Sequence, residues 1–214
     1  MSNTQTQIPT DTWVVATWDE YIQMIENPAY EKAKGYYYKG EMLMEMLPVG
    51  YDHSSDHGII YLAVNLFGIL RGIPLHGLIT CSFRKPRLQE CQPDIAYYIG
   101  ERAKVIPPGT KIVDLDRYPP PDLAIEIADT TLPNDIGNKR LLYEEVGVAE
   151  YWVVDVKKTQ IRAFEVANNG SRHIQESVVL PGLLISLLEE ALQRSREMDQ
   201  SQVGAWLLQQ FQAM

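Results

Sequence analysis

The chain has 214 residues, a formal net charge of −9 and 45% hydrophobic residues, enough to bury a sizeable core without disulfides or structural metals. Its two cysteines, Cys81 and Cys91, make no CxxC pair and no zinc-spaced cluster with histidine, so they read as small buried hydrophobes. The acidic balance counts against a generic nucleic-acid binder, which carries a basic face, but not against a local site where a metal supplies the positive charge.

Residues 1–11 are polar and read as a flexible tail without an apolar signal region. No run of about 18 apolar residues predicts a membrane span, and a cytoplasmic location is expected. Thr17 to Glu26 reads as a short helix, with Thr17 and Glu20 at capping-box spacing and Pro28 ending it. Tyr36 to Leu47 reads as a hairpin turning at Gly40. His57 to Arg71 has helical spacing, with Ile60, Val64, Phe67 and Leu70 as its stripe and Gly72 at its end.

Strands are expected over His76 to Phe83 and Cys91 to Ile99, the second with Ile95 and Tyr97 on one face and Asp94, Ala96 and Tyr98 on the other. A polar, proline-rich connection follows over residues 100–121. Leu123 to Ala128 reads as a buried central strand interrupted by one acid, Glu126. Asp135 to Val146 predicts a helix stopped by Gly147. Glu150 to Val156 and Gln160 to Val166 predict a hairpin, Ser177 to Ile185 a last strand, and Leu187 to Phe211 a helical region broken near Asp199 to Gly204. This order indicates one α/β domain with a mixed central sheet flanked by helices, spanning residues 12–190, with a C-terminal helical extension over 187–214 packed on or extending the same domain.

Two acids stand out. Asp94 opens a strand after Pro93, and Glu126 sits inside an apolar strand, where an ionised carboxylate is costly unless paired or metal-bound. On adjacent strands the two could hold a divalent cation, and hard oxygen donors suit Mg²⁺ or Mn²⁺. Asp122 shares the face of Ala124 and Glu126 by alternation. Lys139 lies near the start of the next helix, with Tyr143 four residues on along the same face. Each has a plainer reading: turn residues for Asp94 and Asp122, a buried partner of Arg140 for Glu126, a solvated helix residue for Lys139, helix capping for His57, and hairpin packing for Tyr36 to Tyr38.

Three stretches carry a family resemblance: Pro121-Asp-Leu-Ala-Ile-Glu-Ile-Ala-Asp129, Asn138-Lys-Arg-Leu-Leu-Tyr143 and Gly147-Val-Ala-Glu-Tyr-Trp-Val-Val-Asp155. Together with Gly40-Glu41, His57 and Gln92-Pro93-Asp94, they resemble the Uma2 family of restriction-endonuclease-like proteins over roughly residues 15–190. The resemblance implies a PD-(D/E)xK nuclease fold with one or two Mg²⁺ or Mn²⁺ ions, and Asp94 and Glu126 as ligands and catalytic acids. The position expected to carry the lysine is Ala128, so the resemblance implies that Lys139 takes that role. Glu41 is a candidate additional acid, with His57, Asp122 and Tyr143 as further site residues. The implied activity is endonucleolytic hydrolysis of nucleic acid, with DNA as the expected substrate and a homodimer as the expected assembly. The alternative is a nuclease fold acting as a nucleic-acid- or protein-binding module. No Gly-x-Ser-x-Gly, HExxH or P-loop supports another hydrolase chemistry.

Overall fold

The computed structural model describes residues 10–46, 50–168 and 170–214. The first nine residues of the expected tail, and Leu47 at the end of the expected hairpin, lie outside the described residues. Helix α1 (Trp18–Ile25) starts as predicted: Thr17 accepts from the Glu20 amide while the Glu20 carboxylate accepts from the Thr17 amide. The hairpin β2 (Ala33–Tyr38) and β3 (Glu41–Met46) turns through Lys39 and Gly40. Both turn residues have positive φ, 49° and 80°, as a two-residue hairpin whose twist matches its strands requires. The first strand starts three residues earlier than the aromatic run suggested and so includes Lys34.

Helix α2 (Tyr51–Arg71) begins six residues before the expected start, which places His57 inside the helix rather than at its mouth. Its stripe Ile60, Val64 and Phe67 is buried, Leu70 is not, and Gly72 closes it at φ 64°.

Two strands expected to be continuous are each divided between two sheets. The His76–Phe83 stretch breaks at Thr80, which takes positive φ, into β4 (Leu75–Ile79) and β5 (Ser82–Lys85). The Cys91–Ile99 stretch breaks at Gln92-Pro93-Asp94 into β6 (Gln89–Cys91) and β7 (Ile95–Ile99). Pro93 has no amide hydrogen to give to a ladder, so it suits a chain leaving one sheet for another. The proline-rich connection contains a 3₁₀ turn over Gly100–Lys104 and a short strand β8 (Ile112–Asp114) parallel to β5. The single central sheet expected from the sequence is therefore two mixed six-stranded sheets. One, joined at its edge by β1 (Val14–Val15), runs β1-β3-β2-β6-β5-β8. The other runs β12 (Gly170–Ile174), β11 (Gln160–Ala167), β10 (Glu150–Asp155), β9 (Leu123–Ala128), β7 and β4, with β9 and β10 parallel at its centre.

After β9, the expected single helix is a short turn α3 (Leu132–Asn134), a π turn over Asp135–Lys139, and α4 (Arg140–Val146). Strand β11 (Gln160–Ala167) pairs with β10 as predicted. The last strand is β12 (Gly170–Ile174), not Ser177–Ile185. Glu150 explains the difference: its carboxylate accepts from Ser177 Oγ and from the Val178 and Val179 amides, which bends that segment into a turn.

Side-chain alternation sorts the strands into layers. Ile95, Tyr97, Leu123, Ile125, Trp152 and Val154 face α2, α5 (Ile185–Arg194) and α6 (Gln200–Ala213). Ala96, Tyr98, Ala124, Tyr151 and Val153 face the other sheet, meeting Tyr36, Tyr38 and Leu43 and the α4 residues Leu142 and Tyr143. The far side of that sheet is covered by α1 through Tyr21, Tyr37, Met42 and Met44.

Candidate active site

The site lies where the layer between the sheets reaches the surface. Glu126 shares the parity of Ala124 and Ala128 and so faces the opposite sheet. The antiparallel pair Ile95↔Ile125 puts Asp94, one residue before β7, beside Glu126. Lys34 shares the parity of Tyr36 and Tyr38 and projects from β2 into the same space. Glu45 is its cross-strand partner, since the hairpin register pairs the two directly. Lys139 arrives from the π turn, with Asp135 four residues before it. Together they border a cleft of about 310 Å³ that Lys34, Glu45, His53, Asp94, Glu126 and Lys139 all line.

The charges interlock. Lys34 Nζ lies 3.0 Å from Asp94 Oδ1, 3.3 Å from Glu126 Oε2 and 3.6 Å from Glu45 Oε2. Lys139 Nζ lies 2.7 Å from Glu45 Oε1, 2.8 Å from Asp135 Oδ1 and 3.7 Å from Glu126 Oε2. It also sits over the Tyr36 ring, 4.1 Å from its centre. The other oxygen of each central acid is held by a neutral donor. Glu126 Oε1 accepts from Tyr36 (2.9 Å) and Tyr143 (2.7 Å), and Asp94 Oδ2 from the Ile127 amide (2.8 Å). His53 Nε2 stands 3.5 Å from Asp94 Oδ2.

Four carboxylates and two ammoniums are buried here, with Glu126 and Lys139 only 1% exposed. Burial pushes Glu126 up to about 7 against the pull of Lys139 and Lys34. Asp94 goes the other way: burial raises it, but Lys34, His53 and the Ile127 amide together hold it well below the usual carboxylate range. Burial disfavours charge on both lysines, yet their acidic neighbours hold them above the ordinary lysine value.

The sequence-predicted residues divide. Asp94, Glu126, Lys139 and Tyr143 converge in this cluster. His57 supports it from behind, its Nε2 donating to the Asp94 carbonyl at 3.2 Å. Glu41 lies on the cluster's face of β3 but two pairs away, where it accepts from Asn138 at 3.4 Å; Glu45 stands in the cluster instead. Asp122 is at the other end of β9, accepting from the Ile99 amide and paired with Arg102. Glu126 is not a partner of Arg140, which contacts Glu144 and Ser171. Tyr36 and Tyr38 pack within the core, but the Tyr36 hydroxyl also reaches the site. As members of the site, Lys34, Glu45, His53 and Asp135 escaped the sequence reading, which took Tyr36 as hairpin packing. For Lys34 and Glu45 a signal existed: a turn at Lys39-Gly40 sets a register that makes them opposite partners on the face of the tyrosines.

Among the described residues, no three His, Cys, Asp or Glu side chains form a ready metal cage. The donor chemistry nonetheless suits a hard divalent cation. Asp94 and Glu126 offer adjacent carboxylate oxygens, the cluster carries more acids than bases, and Mg²⁺ commonly takes only one or two protein carboxylates.

A mixed sheet with a parallel central pair, Glu126 inside β9, Asp94 just before β7 and helices on its outer face fits the restriction-endonuclease-like fold. The chain belongs to the Uma2 family, whose model, described as "Putative restriction endonuclease", matches residues 18–201. Its fold is similar to the crystal structure of a putative nuclease belonging to DUF820 from Anabaena variabilis ATCC 29413. The two are 17% identical, with a TM-score of 0.56 over 90% of this chain and 99% of that one. Among curated proteins, none matches the chain.

Proposed function

We propose that this protein is a metal-dependent endonuclease that hydrolyses phosphodiester bonds of nucleic acid, DNA first among the substrates to test. The observation that carries this reading is the convergence of Asp94, Glu126 and Lys139 on one cleft, in a chain of a restriction-endonuclease family. Asp94 and Glu126 would hold Mg²⁺ or Mn²⁺, which supplies Lewis-acid charge and lowers the pKa of an attacking water. Tyr36 and Tyr143 fix Glu126 so that Oε2 points toward the lysines and the cleft. Lys139, held by Glu45 and Asp135, presents a fixed positive charge beside the reacting phosphate, where it orients the water and offsets the charge that develops.

The test is cleavage of plasmid DNA and structured RNA with Mg²⁺ or Mn²⁺, by wild type and by Asp94→Asn, Glu126→Gln and Lys139→Met. Circular dichroism would verify folding. Each variant should lose about 100-fold or more in rate. Equal cleavage by wild type and all three folded variants would reject the assignment. A non-catalytic binding role on the same fold is favoured by one observation: both lysines are already paired with carboxylates. Specific association with nucleic acid, without turnover in either metal, would select it.

A further inference from the structure

The lysine that bridges the two central acids has no part in the reaction scheme above, and its position is informative. Each of those acids has one oxygen fixed by a neutral donor, Glu126 Oε1 by two tyrosines and Asp94 Oδ2 by the Ile127 amide. The remaining oxygens, Asp94 Oδ1 and Glu126 Oε2, are both within 3.3 Å of Lys34 Nζ. Those are the oxygens a cation between the strands must use. A magnesium-sized ion sits about 2.1 Å from its ligands, so sharing both oxygens with an ammonium already in contact with them would set two like-charged groups close together in a buried site, and the two compete.

We propose that Lys34 is a built-in counterion for the Asp94–Glu126 pair, and that a divalent cation enters this site by exchange with its ammonium. The proposal rests on the reading of Asp94 and Glu126 as metal ligands. Three features make exchange workable. Lys34 has a flexible four-carbon stem and lines the cleft. A second acid, Glu45, lies 3.6 Å away on the paired strand and receives the displaced ammonium. The carboxylates stay where the tyrosines and the Ile127 amide hold them, so only one side chain moves. Lys139 is unsuited to this role, because Glu45 and Asp135 hold it and it stands 3.7 Å from the Glu126 oxygen. Lys34 thus stabilises the metal-free acids and weakens metal affinity by competing for the same oxygens.

The test is calorimetric titration of Mn²⁺ into wild type, Lys34→Met and Glu126→Gln, with thermal melts in chelator and in Mn²⁺. Removing the competing charge should tighten Mn²⁺ binding about tenfold or more in Lys34→Met. The same variant should melt below wild type in chelator and gain more than wild type from Mn²⁺. Equal or weaker affinity in folded Lys34→Met overturns the exchange, while binding by wild type that is lost in Glu126→Gln leaves the metal-ligand reading standing. Absence of binding in both wild type and Lys34→Met overturns the two together. If Lys34→Met does not fold without metal, the double variant Lys34→Met/Glu45→Gln removes one charge of each sign. It should also bind more tightly than wild type, and equal or weaker binding overturns the exchange.

Discussion

A buried acid far from the cleft shows how single residues carry the architecture. Glu150 is fully buried and saturated: Oε1 accepts from Trp152 Nε1 at 2.6 Å, and Oε2 from Ser177 Oγ and two backbone amides. A glutamine there must turn its NH₂ toward at least one donor, so Glu150→Gln should lose roughly 1–3 kcal/mol. Burial raises the Glu150 pKa above the ordinary 4.5 despite those hydrogen bonds. In the window from 4.5 up to that raised value, the folded protein keeps a proton that the unfolded chain has lost. The Glu150 contribution to stability therefore falls as pH rises through the window. Urea unfolding at pH 5 and pH 8 should show the deficit of Glu150→Gln shrinking toward pH 8; a deficit that grows with pH would refute the sign. Tyr143 gives a milder case at the cleft. Tyr143→Phe removes one of two hydroxyls on Glu126 Oε1 but leaves Tyr36, so its Mn²⁺ affinity should fall less than that of Glu126→Gln in the same titration.

At the scale of elements, the hairpin β2–β3 does more than pair strands. It places Lys34 and Glu45 on one face and Gly35 on the other, against α1. A Cβ on Gly35 would come within 2.6 Å of Tyr21 Oη and 2.7 Å of Ile25 Cδ1. Gly35→Ala should therefore push the Tyr21 and Ile25 side chains of α1 out of their places and cost about 1–3 kcal/mol, read as a lowered melting temperature. Because the next residue, Tyr36, fixes Glu126 Oε1, a strand shift that moves its hydroxyl should also weaken Mn²⁺ binding, and unchanged binding would show that the strand absorbs the strain away from the cleft. Most element types were legible in the sequence: the α1 capping box, the apolar β9 and the β10–β11 hairpin all follow from spacing and caps. The divided strands were not. Apolar runs such as His76–Phe83 and Cys91–Ile99 read alike whether their halves join one sheet or two, since alternation records faces and not partners.

For the molecule as a whole, the C-terminal helices are part of the main core rather than an added arm. Val203, Leu207 and Phe211 of α6 are buried with Phe67 of α2, and the Phe67 and Phe211 rings meet edge to face at 5.3 Å. Arg196, just after α5, pairs with Asp56 of α2 through both carboxylate oxygens. Phe211→Ala should then cost about 3–5 kcal/mol by denaturant unfolding. Removal of α6 should lower the melting temperature and promote aggregation. The apolar face of α6 is covered within the chain and is not available to a second copy. No helix of the described residues is long and apolar enough to cross a membrane.

The features readable without coordinates are local ones. The α/β class, the buried strand holding Glu126, the placement of Asp94 after Pro93, and the four-residue spacing of Lys139 and Tyr143 follow from periodicity, side-chain alternation and the energetic oddity of an acid in an apolar run. The resemblance added which acids to single out. Long-range packing was needed to see that two sheets, not one, enclose the site, that Glu45 rather than Glu41 joins it, that Asp122 pairs with Arg102, and that Lys34 bridges Asp94 and Glu126. Those choices depend on which strands pair across long stretches of chain, and a charge can be assigned its partner only once the register that brings the two together is fixed.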